Sequence, residues 1–312
     1  MEGINNSLGD YKPGKPSLSH VMTYTENIVI IGAEVHDKSP VNKLMFMAQA
    51  IRRVRKSSVQ TVIYFKQGYS NTMVVEFEKS LKTYNKNIKI ISISIISELF
   101  NYLNFGYIKT GIDCRVKPDH YGNIYKVKNI YFYSHGLPGR ITFLLDWDAY
   151  KLQNKIVSNI TAEANELNLK NYTLIRQNIF KDANIYSYSC RTGINEEDST
   201  DLELMWGDGS SLAQRLSNHL KIDVYAFARR SNYGDTWGNF QDRLLIKMAN
   251  FDEKIFPKEK IKYDDDFRGY KSKEMFLDDK KYPWQPQGAY RDVKAGDTPK
   301  GPPQKLLKYT PK

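Results

Sequence analysis

Apolar residues fall along this chain in short, nearly continuous runs separated by stretches of helical period. The runs are NIVIIGA at 27–33, TVIYFK at 61–66, IKIISISI at 88–95, VKNIYFYS at 127–134, ANIYSYS at 183–189 and DVYAFA at 223–228. Each is strand-length and rich in β-branched or aromatic residues, and apolarity without alternation predicts strands buried on both faces of a mainly parallel sheet. Between them, Leu44, Met47, Ala48, Ile51 and Val54 make one stripe of a helix over 41–55, and further helices are expected over 72–84, 97–104 and 210–220. Ser210 and Ser211 stand where a cap for the last of these belongs. Strand and helix in alternation predict an α/β fold, a three-layer sandwich with a mainly parallel six-stranded sheet and helices on both faces. No internal repeat is visible.

The two ends break the pattern. Residues 1–22 are polar and read as an N-terminal arm, so the folded domain is expected over 23–250. Residues 251–312 hold seven of the twelve prolines and many charges. That composition cannot build a core of its own, and it predicts an extended C-terminal extension that packs on the domain or docks a partner. No run approaches the roughly 20 apolar residues of a membrane helix. The first twenty residues lack an apolar h-region, so no conventional signal peptide is expected, and the chain is expected to be cytoplasmic at synthesis.

The net charge of +11 invites a nucleic-acid reading. The densest basic patch, RRVRK at 52–56, ends a predicted helix, where cations complement the helix dipole, so a solvated helix end is the plainer account. No nucleic-acid-binding motif accompanies it. Two cysteines, Cys114 and Cys190, make no disulfide framework. No cofactor is expected, and no Cys/His cluster has zinc spacing.

Two predicted strands run directly into reactive residues: NIYFYS into His135-Gly136, and NIYSYS into Cys190-Arg191-Thr192-Gly193. In an open parallel sheet, sites collect at the carboxyl ends of the strands. Neighbouring strands lie about 4.8 Å apart, so a histidine and a cysteine at adjacent ends can meet. An imidazole beside a thiol draws off its proton and leaves the nucleophilic thiolate. Gly136 would allow a sharp turn there, and the backbone N–H groups of Gly136 and Cys190 are candidate oxyanion-hole donors. Cys114 lies in a polar stretch with no strand leading into it, and His120 beside it is a distant second candidate for the base. His20, His36 and His219 are read as surface or satisfied residues.

The motifs IYFYSHG (130–136) and IYSYSCRTG (185–193) resemble those of the caspase-like (clan CD) cysteine peptidases, and Cys190 follows His135 by 55 positions, close to the roughly 50 typical of caspases. Ser189 before the cysteine and Thr192 before the glycine depart from the caspase string, and the chain looks more like the divergent bacterial branch of toxin-processing and effector peptidases. The resemblance spans about residues 27–240. It implies a caspase-like scaffold and a cysteine endopeptidase acting through Cys190, His135 and an acyl-enzyme. It further implies a protein or peptide substrate and, for a secreted effector or toxin, export into a target cell with a secretion carrier or immunity partner. The alternative is a non-catalytic caspase-like scaffold that binds proteins.

The resemblance also implies a pocket near the strand after the cysteine, for the residue preceding the cleaved bond. Arg229 or Arg230 there would favour an acidic residue and Asp235 a basic one, with Tyr233 and Trp237 as aromatic walls. Between Thr192 and Gln214 lie six acids and no Lys or Arg, read as a solvated loop or, more sharply, as one that attracts basic substrate or is cut on activation.

Overall fold

A computed structural model describes residues 22–35, 40–106, 124–145, 165–194, 210–233, 236, 286–296 and 305–312. In chain order the elements are β1 (Thr23–Ile31), β2 (Ala33–Glu34), α1 (Pro40–Lys56), β3 (Thr61–Phe65), α2 (Asn71–Tyr84), β4 (Lys89–Ile93), α3 (Ile96–Phe105) and β5 (Ile124–Tyr133). They continue with β6 (His135–Leu137), β7 (Arg140–Thr142), β8 (Leu144–Leu145), β9 (Glu166–Asn168), β10 (Phe180–Ser187), α4 (Leu212–Leu220), β11 (Asp223–Ala226), β12 (Ser231–Asn232), β13 (Lys294–Ala295) and β14 (Leu307–Tyr309).

The main sheet has the order β14-β11-β10-β5-β1-β3-β4. Every pairing in it is parallel except that of β14 with β11. From β1 the chain first builds outward through β3 to β4, then returns beside β1 with β5 and builds the other way. The reversal leaves a crevice at the carboxyl ends of β1 and β5.

Among the described residues, each face of the sheet is covered by two helices. Ile28 and Ile30 of β1 point to a core shared with Leu99, Phe100 and Leu103 of α3 and Leu212, Leu216 and Leu220 of α4. Val29 and Ile31 point to the opposite core, with Phe46, Met47, Ile51 and Val54 of α1 and Met73, Phe77 and Leu81 of α2. The helix ends follow their local chemistry. Ser70 and Ser211 cap α2 and α4 by accepting the N–H of Met73 and Gln214, the Glu98 carboxylate accepts the Ser94 N–H at the start of α3, and Gly106 ends α3 at φ 82°.

Two expectations change. The sheet has seven strands, not six, because Leu307–Tyr309 adds an antiparallel edge to β11. β11 would otherwise leave a row of unpaired backbone groups at the edge. Ser217 Oγ donates to the Tyr309 carbonyl at 3.0 Å, Gln214 Nε2 to that of Thr310 at 2.8 Å, and Lys308 pairs with Asp223 at 2.8 Å.

The basic end of α1 is also not simply solvated. Arg53 donates to the hydroxyls of Tyr133 (3.0 Å) and Tyr188 (2.8 Å) and lies 4.5 Å from the Tyr131 ring centre. Burial works against the guanidinium charge, but Tyr133 and Tyr188 outweigh it and the Arg53 pKa is raised. Arg52 binds the C-terminal extension through Asp292. Among the described residues, no helix is long and apolar enough to cross a membrane.

Candidate active site

Four adjacent strands, β11, β10, β5 and β1, end on the same edge of the sheet. A few residues beyond their carboxyl ends come Ser231, Cys190, His135 and Glu34 respectively, so the side chains follow one another in the order of the strands. Register sets this up. Phe132 of β5 lies opposite Ser187 of β10 and Tyr133 opposite Ile31 of β1, and the Tyr188 N–H extends the ladder to the Phe132 carbonyl at 3.0 Å.

His135 Nε2 lies 2.7 Å from Glu34 Oε2, and the Glu34 side chain is only 4% exposed. The oxygen sits off the ring N–H axis, so the contact is an electrostatic pairing rather than an aligned hydrogen bond. Glu34 reaches this position because β2 pairs with β8 just after β1 ends, Glu34 standing opposite Leu145. The imidazole is held from another side by Phe46 of α1, whose ring meets it edge-on at 5.0 Å. Tyr69 donates its hydroxyl to the Gly32 carbonyl at 2.5 Å; burial first, then the nearby Glu34 charge, push its pKa well up, so it stays a neutral donor.

Cys190 is partly buried and its thiol is free. Its Sγ lies 3.1 Å from Ser231 Oγ and receives the Ser231 N–H at 3.3 Å. No hydrogen bond joins His135 to Cys190, the sulfur being engaged by Ser231 and the imidazole by Glu34. The backbones of the two strand ends do touch. A Cβ on Gly136 would lie 2.8 Å from both the Cys190 nitrogen and Ser189 Cβ, and closer still to the Cys190 oxygen. Gly136 is therefore required by close approach inside β6, not by the sharp turn expected from the sequence; the left-handed residue of that hairpin is Gly139, at φ 76°.

Pro138 and Gly139 form a two-residue loop between the paired Leu137 and Arg140. In such a hairpin the flanking pair exchanges both hydrogen bonds and the next does not, so the Gly136 N–H points away from β7. The Cys190 N–H donates to no described backbone acceptor. Both expected oxyanion donors are thus unspent within the described residues. After the cysteine, Arg191 adopts φ 54°, and its N–H donates to the Arg229 carbonyl at 2.9 Å. The Gly193 N–H donates to the Phe227 carbonyl, also at 2.9 Å.

Of the expected pocket residues, Arg229 is buried and meets the nucleophile loop through its carbonyl. Arg230 is exposed, and its carbonyl accepts the Gly296 N–H at 2.6 Å. Tyr233 belongs to the core. Its hydroxyl donates to the Tyr188 carbonyl at 3.1 Å, its ring meets Phe46 edge-on, and burial followed by the neighbouring Cys190 raises its pKa well above the ordinary phenol value. Asp235, Trp237, Cys114, His120, His20, His36 and the acids of 196–208 lie outside the described residues. His219 is satisfied by the Ile175 carbonyl at 2.8 Å.

Glu34 and Ser231 escaped the sequence reading. Both stand just past the end of a predicted strand, and asking which polar residues follow every strand, rather than only the Cys and His strands, would have found them. Among the described residues, no three His, Cys, Asp or Glu side chains cluster as metal ligands. No family model, curated protein or solved structure matches this chain.

Proposed function

We propose that the chain is a cysteine endopeptidase of the caspase-like kind, with Cys190 as nucleophile and His135 as general base. The observation that carries the reading is the placement of His135 and Cys190 on adjacent parallel strand ends, with Gly136 packed against the Cys190 backbone and His135 oriented by a buried carboxylate. The Cys190 thiolate attacks the scissile carbonyl carbon, and the oxyanion faces the N–H groups of Gly136 and Cys190. His135 carries the thiol proton to the leaving amine. Water, deprotonated by His135, then cleaves the acyl-enzyme and the thiol is regenerated. Glu34 holds the ring that does this in place.

The residue preferred before the cleaved bond is left open between an acidic one, met by Arg229 or Arg230, and a basic one, met by Asp235. Action as a secreted effector belongs to the same proposal. The absence of a His135–Cys190 hydrogen bond favours the second reading, a protein-binding scaffold without activity. Catalytic hydrogen bonds are often long before substrate binds, which keeps peptidase chemistry the better account. Incubation with a denatured proteome and sequencing of new termini separates the two. The peptidase reading expects cleavage by wild type that disappears in Cys190→Ala; unchanged termini with both proteins would leave the scaffold.

A further inference from the structure

We infer that Ser231 is a positioning residue for the Cys190 thiolate and that the C-terminal segment 286–296 holds it in place. The inference rests on the reading of Cys190 as nucleophile. Three groups of Ser231 face the sulfur: its hydroxyl oxygen at 3.1 Å, its N–H at 3.3 Å and, most distant, its carbonyl oxygen at 4.0 Å, which accepts from the thiol; the two nearest are the possible donors. The N–H can only donate, and the hydroxyl can rotate to donate. Donors directed at sulfur favour the ionised form over the thiol. His135 then supplies the route for the proton, while Ser231 lowers the cost of leaving charge on the sulfur.

β12 is two residues long and does not hold this position by itself. It pairs antiparallel with β13, Ser231 opposite Ala295 and Asn232 opposite Lys294. The Gly296 N–H adds a bond to the Arg230 carbonyl. The segment is anchored in turn to α1. Gln49 Nε2 donates to the Arg291 carbonyl at 2.9 Å, the Ala289 N–H donates to the Ala48 carbonyl at 2.8 Å, and Arg52 pairs with Asp292 at 3.0 Å. Val293 and Ala295 are buried in the core beneath α1. A tail read from sequence as lacking a core of its own therefore sets the wall that meets the nucleophile.

Among the described residues, the ionisable groups around the sulfur are few. Tyr233 is kept neutral by burial. His135 and, beyond it, Glu34 approach from the β5 and β1 side, Arg191 and Arg229 flank the loop, and Lys294 stands exposed on β13.

The test is the pH dependence of iodoacetamide alkylation at Cys190, read by peptide mass spectrometry so that Cys114 is resolved separately. Ser231→Ala should lower the alkylation rate on the rising limb of the pH curve roughly tenfold. Ser231→Thr, which keeps the hydroxyl, should restore the wild-type curve. Asp292→Asn, remote from the sulfur, should lower the rate in the same direction but less, and should add little on top of Ser231→Ala. It also serves as the test if Ser231→Ala fails to fold. A Ser231→Ala curve superimposed on wild type overturns the role of Ser231, and an unshifted Asp292→Asn overturns that of the tail. Cleavage lost in Cys190→Ala with an unshifted Ser231→Ala curve retains the peptidase and rejects this inference. A shifted curve in a protein that cleaves nothing does the reverse.

Discussion

Gly136→Ala isolates the contact on which the candidate site depends, because its cost comes from proximity alone. The residue lies in a strand at ordinary φ, so an alanine meets no conformational penalty; the difficulty is its methyl group. The added carbon would lie 2.8 Å from the Cys190 nitrogen and 2.8 Å from Ser189 Cβ. Non-bonded carbon atoms rest at about 3.5–4.0 Å. Relief requires the ends of β5 and β10 to separate by roughly 1 Å, and overpacking of this kind costs about 1–3 kcal/mol. The same separation moves His135 from Cys190, and a 1 Å misplacement is worth about a hundredfold in rate. Urea unfolding and proteome cleavage should show a lower midpoint and a large loss of cleavage for Gly136→Ala relative to wild type. Wild-type stability and cleavage in Gly136→Ala would refute the reasoning, since the two strand ends would then not be in contact.

Two further outcomes are expected. Tyr309 donates its hydroxyl to the Gly193 carbonyl, so Tyr309→Phe should lose about 1 kcal/mol in urea unfolding and speed amide exchange at 191–194; unchanged exchange would show that the edge strand does not steady the nucleophile loop. Asp292 has a lowered pKa, first through the Arg52 hydrogen bond. Its contribution is therefore complete above its unfolded value of about 3.9 and is lost as pH falls through its lower folded value. Asp292→Asn should remove that component, making it less stable than wild type at neutral pH and converging with it in acid; a constant difference across the range would contradict the assignment.

The sheet was legible in sequence because its strands are buried on both faces, and runs such as NIVII and NIYFY carry that burial without needing their neighbours. His135 and Cys190 were legible for the same reason, as polar residues terminating such runs. Glu34 was not, since a glutamate three residues past Ile31 reads as the start of a loop until β2 is seen pairing with β8. Ser231 is as anonymous in a string of polar turn residues. Leu307–Tyr309 is too short for any period to show, and it becomes a strand only because β11 offers an edge. Arg53 lay in a basic run that composition assigns to solvent, and its partners Tyr133, at the end of β5, and Tyr188, just past β10, lie 80 and 135 residues away.

Covalent trapping asks whether Cys190 acts as a nucleophile activated by His135. A peptide acyloxymethyl ketone series, varied in the residue next to the warhead, is incubated with wild type and His135→Ala, and the modified residue is identified by mass spectrometry. Modification at Cys190 is predicted in wild type, at a rate that depends on the residue in that position, with a loss of at least about a hundredfold in His135→Ala, the scale of general-base catalysis. Equal rates in the two proteins, or no modification of Cys190 by any member of the series, would contradict it.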